Sequence, residues 1–229
     1  MKREGRPSEA SILNSRMIDR PIRPMFPKAT RTDTQIISTI MSSSGLSDFG
    51  WYGITGASLS VMLAGVKEFE GPVAGVRIVS DEAGNFIFDP TFEQIAGAHL
   101  DLTVAGTLDA ITMVESQGSE VNNDLMVRAF EYAHGIVKTL CNMQLDFLAI
   151  YTQVHALPET TLTVGEKDPE TVQKVQDIVT EDEIKSLYGL GKLEFHDALH
   201  DLVEAVAVKL EYNKETNIPK MGDIADSVK

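Results

Sequence analysis

The side chains with the greatest capacity for chemistry are three arginines near the start of the chain. Arg16 and Arg20 stand four apart on one predicted helix, and Arg23 lies just beyond it, so three guanidinium groups can converge on a single anion. Guanidinium forks match phosphate oxygens bidentately and stay charged at any working pH. A second basic group, Lys2, Arg3 and Arg6 in MKREGRP, suits a segment that grips RNA. Each group also has a plainer reading. Arginines in a last helical turn complement the helix dipole and pair with acids such as Asp19, and a basic terminal tail accounts for Lys2, Arg3 and Arg6.

Charge along the chain keeps an anion partner in play despite a formal net charge of −14. Residues 1–31 hold eight Lys/Arg against three acids, which leaves 12 basic and 31 acidic residues for the rest. A basic segment attached to an acidic body concentrates an anion at one place, while fields from the body are screened beyond about 8–10 Å at cellular salt. Any contact with RNA is therefore expected to be local.

Other constellations give less. His196-Asp197-Ala198-Leu199-His200 sets two histidines four apart, as in a zinc-protease helix, but Asp197 stands at the general-base position and no third ligand follows at a fixed spacing. A solvated helix face explains the same pattern, and no metal ligands are assigned in this chain. No Walker A motif, Gly-x-Ser-x-Gly elbow or dinucleotide fingerprint occurs, so no catalytic constellation is expected. The single cysteine, Cys141, lies among Val137, Leu140 and Leu145 and reads as a buried structural thiol. No apolar run is long enough to span a membrane, and no secretory signal is evident; a cytoplasmic location is expected.

The elements that must position these residues fall into two parts, dividing near residue 155. Ser8 is a candidate N-cap for a helix over residues 9–19, which Pro21 is expected to end, leaving a stiff extended connection through Pro24. A strand is predicted over residues 34–42 and a closely packed helix over 51–63, with small residues at Gly53, Gly56, Ala57 and Ser58. Strands follow over 73–79 and 85–88, then a short helix over 91–96, a hairpin of strands over 100–105 and 110–115, and a long helix over 122–148. Strands and helices in groups imply an α+β fold, a mixed sheet with helices on one face. Past residue 154 a polar linker leads to helices over 170–178, 181–187 and 193–212. In the last of these Phe195, Leu199, Leu202, Val203, Val206 and Leu210 make one stripe, and residues 213–229 are expected to fray.

Residues 2–28, KREGRPSEASILNSRMIDRPIRPMFPK, resemble the signature of bacterial polynucleotide phosphorylases. In that signature a loop of aromatic and basic residues precedes Glu-Gly-Arg-Pro-Ser-Glu and then Arg-x-x-Asp-Arg-Pro-Ile-Arg-Pro. Further matches lie in order at Ile54-Thr55-Gly56-Ala57-Ser58, Gly71-Pro72-Val73-Ala74-Gly75-Val76-Arg77, the run 100–107 (LDLTVAGT) and Met113-Val114-Glu115. Nearly all of residues 2–150 are covered. The helical part matches by position and character only.

The resemblance implies a first ribonuclease PH-like core domain over residues 1–154, lacking its early strands, and an all-helical domain over 155–229. The implied reaction is reversible 3′-to-5′ phosphorolysis of RNA in mRNA degradation, releasing nucleoside diphosphates, with inorganic phosphate as co-substrate and Mg²⁺ offsetting charge. The family's partners would be single-stranded RNA, a homotrimeric ring, a second core and RNA-binding domains; the catalytic serines and metal-binding aspartates belong to that second core. On this resemblance Lys2, Arg3 and Arg6 contact RNA, and Arg16, Arg20 and Arg23 position phosphate. Two other classes stay open: a noncatalytic RNA-binding or assembly subunit of such a ring, and an inactive fragment.

Overall fold

The computed structural model describes residues 5–165 and 168–228. The chain divides into two compact units, Met1–Val164 and Gly165–Lys229. The first is built on a four-stranded sheet of β1 (Ala74–Ser80), β2 (Phe86–Phe88), β3 (Leu100–Gly106) and β4 (Ile111–Gly118), in the spatial order β2-β1-β3-β4. Every pairing is antiparallel, so the α+β class holds without the mixed sheet expected of it. Tight turns account for the β1–β2 and β3–β4 pairings, and the chain passes through a short helix, α3 (Phe92–Ala96), before β3 returns beside β1. Between β1 and β2, Gly84 takes φ +80 and the Asp81 carboxylate accepts from both the backbone and side-chain nitrogens of Asn85.

Helices cover both faces of the sheet, where the sequence pattern implies one covered face. On one side α4 (Asn123–Val154) sets Ala129, Ala133, Val137 and Cys141, each one turn from the last, against Ala74, Val76 and Ile78 of β1 and Leu100, Leu102 and Val104 of β3. Small side chains let the helix approach closely, and all of these residues are fully buried. The Cys141 thiol is pushed up to about 11 by that burial, as suits an inert structural cysteine. On the other side α1 (Glu9–Ile22) and α2 (Tyr52–Leu63) contribute Ile22, Ile54, Ala57 and Val61, packed with Val73, Ala105 and Met113. Gly75 makes this second contact possible, because a Cβ there would lie 2.5 Å from Ile54. Of the small residues on α2, Ala57 and Ser58 are buried, Ser58 accepting the Val73 amide at 2.8 Å, whereas Gly56 faces open space.

Three local expectations give way. The first helix continues through Pro21 to Ile22 and passes into a 3-10 turn, Arg23–Met25, so the stiff extended connection is absent. Proline costs that last turn one hydrogen bond, and burial of Pro21 and Ile22 against the core offsets it. Residues 34–42 form no strand: among the described residues nothing pairs with them, and although Ile36 turns toward the core, Ile37 and Met41 are 76% and 90% exposed. Beta-branched composition alone does not make a strand without a neighbour to complete the ladder. Third, α4 runs on to Val154 instead of ending at 148, because neither proline nor glycine occurs over 149–154. After it, residues 160–164 fold back along the first unit, with Thr160 bridging Val66 and Val164 bridging Thr30.

One ion-pair cluster binds loop to sheet. Arg77 of β1 forks onto Asp101 of β3, on the same face, at 2.9 and 2.7 Å, and its other nitrogen meets Asp48 from the loop before α2. All three side chains are largely buried, and Asp101 with Asp48 raises the arginine above its usual range against the opposing effect of burial.

The second unit contains α5 (Pro169–Ile178), α6 (Glu181–Lys185), α7 (Lys192–Lys209) and α8 (Met221–Val228). Val206 and Ala207 of α7 pack with Val175, Ile224 and Val228, while Phe195, expected on the same stripe, stays exposed. The fraying expected of residues 213–229 is overturned by α8: Met221, Ile224 and Val228 recur on one face and close the helical core. Asp168 caps α5, accepting from the Thr171 hydroxyl at 2.6 Å and from the amides of Thr171 and Glu170, which holds its carboxyl below the ordinary range.

Substitutions at these contacts have distinct expected outcomes. Arg77→Met leaves two carboxylates without their cation and should cost about 3 kcal/mol in urea unfolding monitored by near-UV circular dichroism. A carboxyl depressed in the folded state lends stability above its unfolded value, near 3.9, and that stability is lost as pH falls through the folded value. Asp168→Asn keeps the cap acceptor without the titration, so melting of the helical unit should fall less than in the wild type when pH is lowered from about 5 to about 3.

Candidate nucleic-acid interface

The basic residues are displayed by α1, which starts where Ser8 accepts the Ser11 amide at 3.2 Å and Glu9 lies in the positive first turn. Its apolar side, Ile18 and Ile22 with Met17 at the margin, seats on α2 and leaves Arg16 and Arg20 exposed on the opposite side. Because the helix runs past Pro21, Arg23 follows Arg20 by a further three residues, and all three arginines share one broad helical face.

Their surroundings differ. Arg16 has no hydrogen bond or ion pair among the described residues. Arg20 donates one Nη1–H to Glu115 of β4 at 3.4 Å, between side chains that are 45% and 56% exposed. Arg23 is held bidentately by Asp19: its Nε donates at 3.1 and 3.0 Å and its Nη2 at 2.7 Å. The Asp19 hydrogen bond and charge raise the Arg23 guanidinium above its usual range. The plain reading of arginines paired with acids therefore describes Arg23 with Asp19 and, through one long contact, Arg20 with Glu115, while the Arg16 side chain has no such partner among the described residues. Arg6 is exposed in a bend ahead of α1, and Lys2 and Arg3 lie outside the described residues.

Beside α1 runs a groove of about 820 Å³, bounded by the segment that follows the 3-10 turn. Asp19, Arg23 and Lys28 line it together with the hydroxyls of Ser15, Thr30 and Thr32, while Arg16 and Arg20 do not. Two participants are not legible from the sequence as site residues. Glu115 reaches Arg20 across 95 positions, a separation that no local pattern reveals, and Lys28 joins the groove only because the chain turns at Phe26. Among the described residues no three His, Cys, Asp or Glu side chains gather as a metal centre requires. His196, Asp197 and His200 are exposed on α7.

Residues 1–67 match the model for 3′ exoribonuclease family, domain 1, and residues 71–136 that for 3′ exoribonuclease family, domain 2. Together the matches take in more than half of the chain, which belongs to the 3′ exoribonuclease family. Within that family it is similar to polyribonucleotide nucleotidyltransferases. One from Fervidobacterium nodosum is 38% identical over 222 residues, 96% of this chain and 31% of the relative. That of Bacillus subtilis is 36% identical over 213 residues, 92% and 29%, and that of Thermotoga neapolitana 45% identical over 149 residues, 65% and 21%. The chain thus spans no more than about a third of the length of these curated relatives. Rice (Oryza sativa) Rrp46 overlays on 64% of this chain and 67% of its own, with a TM-score of 0.48 and 10% identity.

Half-exposed ion pairs contribute little to stability, so Arg20→Gln and Glu115→Gln should each change the unfolding free energy by less than about 1 kcal/mol in urea titration. A larger loss would mean that the Arg20–Glu115 contact is structural and that the arginine is not available to a ligand.

Proposed function

We propose that this chain supplies RNA and phosphate positioning to a phosphorolytic 3′-to-5′ exoribonuclease of mRNA degradation. In that reaction inorganic phosphate attacks the phosphorus of the last phosphodiester, the bond from that phosphorus to the 3′ oxygen of the preceding nucleotide breaks, the oxygen takes a proton as the new 3′ hydroxyl of the shortened RNA, and the terminal nucleotide is released as a nucleoside diphosphate. The observation that carries the proposal is the pair of exposed arginines, Arg16 and Arg20, four apart on a helix anchored to the core, the first without a side-chain partner among the described residues and the second with one long contact to Glu115. Such a pair holds neighbouring phosphate oxygens without needing to titrate. Lys2, Arg3 and Arg6 precede the helix and would hold the strand further along, while Arg23 adds positive potential at the helix end.

On this reading residues 1–154 act as a first core and 155–229 as a helical domain, and the groups that make and break bonds come from a second core, with Mg²⁺ held there to offset charge on the transferring phosphoryl group. Single-stranded RNA is the substrate, three copies close a ring, and the work is cytoplasmic. Electrostatic positioning is all that this chain's residues are asked to supply: they fix where the phosphodiester lies relative to the attacking phosphate, and effective molarity rises with that alignment.

The test is phosphate-dependent release of ADP from poly(A) in the presence of Mg²⁺, using the full chain alone and then mixed with a separately expressed second core. No release from the chain alone and release from the mixture are expected. In the mixture, Arg16→Gln with Arg20→Gln should lower turnover at limiting RNA at least about tenfold while the melting temperature holds, because two phosphate contacts are lost. Release by the chain alone would overturn the assignment of catalysis to another domain. Unchanged turnover in the double variant would remove α1 from the site, and RNA binding without release from a competent mixture would favour a noncatalytic binding subunit.

A further inference from the structure

Of the three arginines, Arg23 alone has an edge held bidentately by a carboxylate. A guanidinium offers two edges on which a pair of N–H donors can meet phosphate, and in Arg23 the side-on Nε–Nη2 edge is given to Asp19 through three contacts of 3.1, 3.0 and 2.7 Å, which leaves only the end-on edge, shared with the same Nη2. Both partners are exposed, so the pairing is maintained by geometry at i, i+4 and is open to competition from solvent-borne anions. A phosphate approaching the side-on edge must displace the Asp19 carboxylate and then tolerate its charge. Arg16, with no partner among the described residues, and Arg20, with one long contact, impose no such condition. Asp19 and Arg23 also face the groove that Lys28 lines, so releasing this edge would expose a second cation next to it.

We propose that Asp19 sets the affinity of the basic helix for RNA by occupying Arg23 in place of a phosphate. The inference rests on the reading that Arg16 and Arg20 hold the RNA backbone. It has a countable consequence: the helix engages two phosphates, not three. Binding remains weak enough for the strand to advance by one nucleotide after each cleavage, which a third fork would slow. Asp19 is a positioning residue in this scheme, since it acts through Arg23 and touches no substrate.

The number of phosphates engaged is readable from salt dependence, because each phosphate neutralised on a single strand adds about 0.7 to the slope of log K against log salt. The probe is a fluorescein-labelled twelve-residue oligo(A), titrated by anisotropy with the full chain across a range of potassium chloride. Asp19→Asn preserves size and one acceptor but removes the charge; it should tighten binding about three- to tenfold at low salt and steepen the slope by about 0.7. The same change in an Arg23→Gln background should give almost none of this gain. Loss of one negative charge acting through space would instead tighten both backgrounds equally, and that result, or no gain in Asp19→Asn at all, overturns the inference. Far-UV circular dichroism of each variant confirms that α1 is retained. Should wild-type binding prove indifferent to Arg16→Gln and Arg20→Gln, the RNA-positioning reading itself falls and takes this inference with it.

Discussion

The contact between α4 and the central strands is the constraint on which the rest of the first unit depends. Ala129, Ala133, Val137 and Cys141 present a strip of small side chains, and β1 and β3 can be buried on that side only because the strip admits the helix closely. A strand buried on one face still has to cover the other, and β1 is buried almost throughout its length. Gly75 and the serine and alanine of α2 meet that second demand, and α2 in turn carries α1. The arginines therefore project from a helix two layers removed from α4, yet their placement follows from it. Each buried aliphatic in these layers contributes roughly 1.5–3 kcal/mol, far more than any exposed ion pair at the site, so the core fixes the position of α1 and the charges are left to do chemistry.

Separation of these roles explains how an acidic chain can present a cationic face. The arginines of α1 are not in a field of uniform sign: Asp19 and Glu115 stand among them, and this face is a patterned surface in which Arg23 is held by an acid along one edge, Arg20 has one long contact and Arg16 has none among the described residues. At cellular ionic strength the remaining negative charge of the body is largely invisible beyond about 8–10 Å, so the immediate neighbours of each guanidinium determine what it can bind. Arg77 makes the contrast clear. Enclosed between Asp48 and Asp101, it is an arginine of similar chemistry with a purely structural task, joining a loop to the sheet. Burial and partner count distinguish Arg77 from the exposed arginines of α1, and neither is visible from residue type.

Legibility in the sequence follows the same division. Elements with strong patterning can be read directly: β1, β3 and the small-residue face of α4 show their burial in the run 73–79, the run 100–105 and the spacing through Cys141. Expectation and structure part where a local pattern depends on a distant partner. Residues 34–42 have the composition of a strand but no neighbour to pair with, Pro21 signals a stop although buried packing carries the helix past it, and the stripe Met221, Ile224, Val228 is too short to stand out from a polar tail. The arginines are legible because their spacing is local. Glu115 is not, since only the β3–β4 hairpin and the docking of α1 bring it to Arg20.

That difference bears on what kind of site this is. Residues that make or break bonds need partners fixed to within about half an ångström and about 10–20°, and such precision is built from several elements meeting at one point. An electrostatic grip on a polymer asks for less: charges that persist over a working pH range, spaced to match phosphates, on a scaffold that does not move when the polymer slides. On the proposed reading one amphipathic helix seated on a core satisfies those conditions by itself, which is why its basic face and the neighbouring Asp19 can be recognised from spacing alone while Glu115 requires the fold. The Arg20–Glu115 contact then has a second meaning. It ties the exposed edge of α1 to β4 through a single donor of the arginine, so the sheet steadies the guanidinium while its other donors make no contact among the described residues.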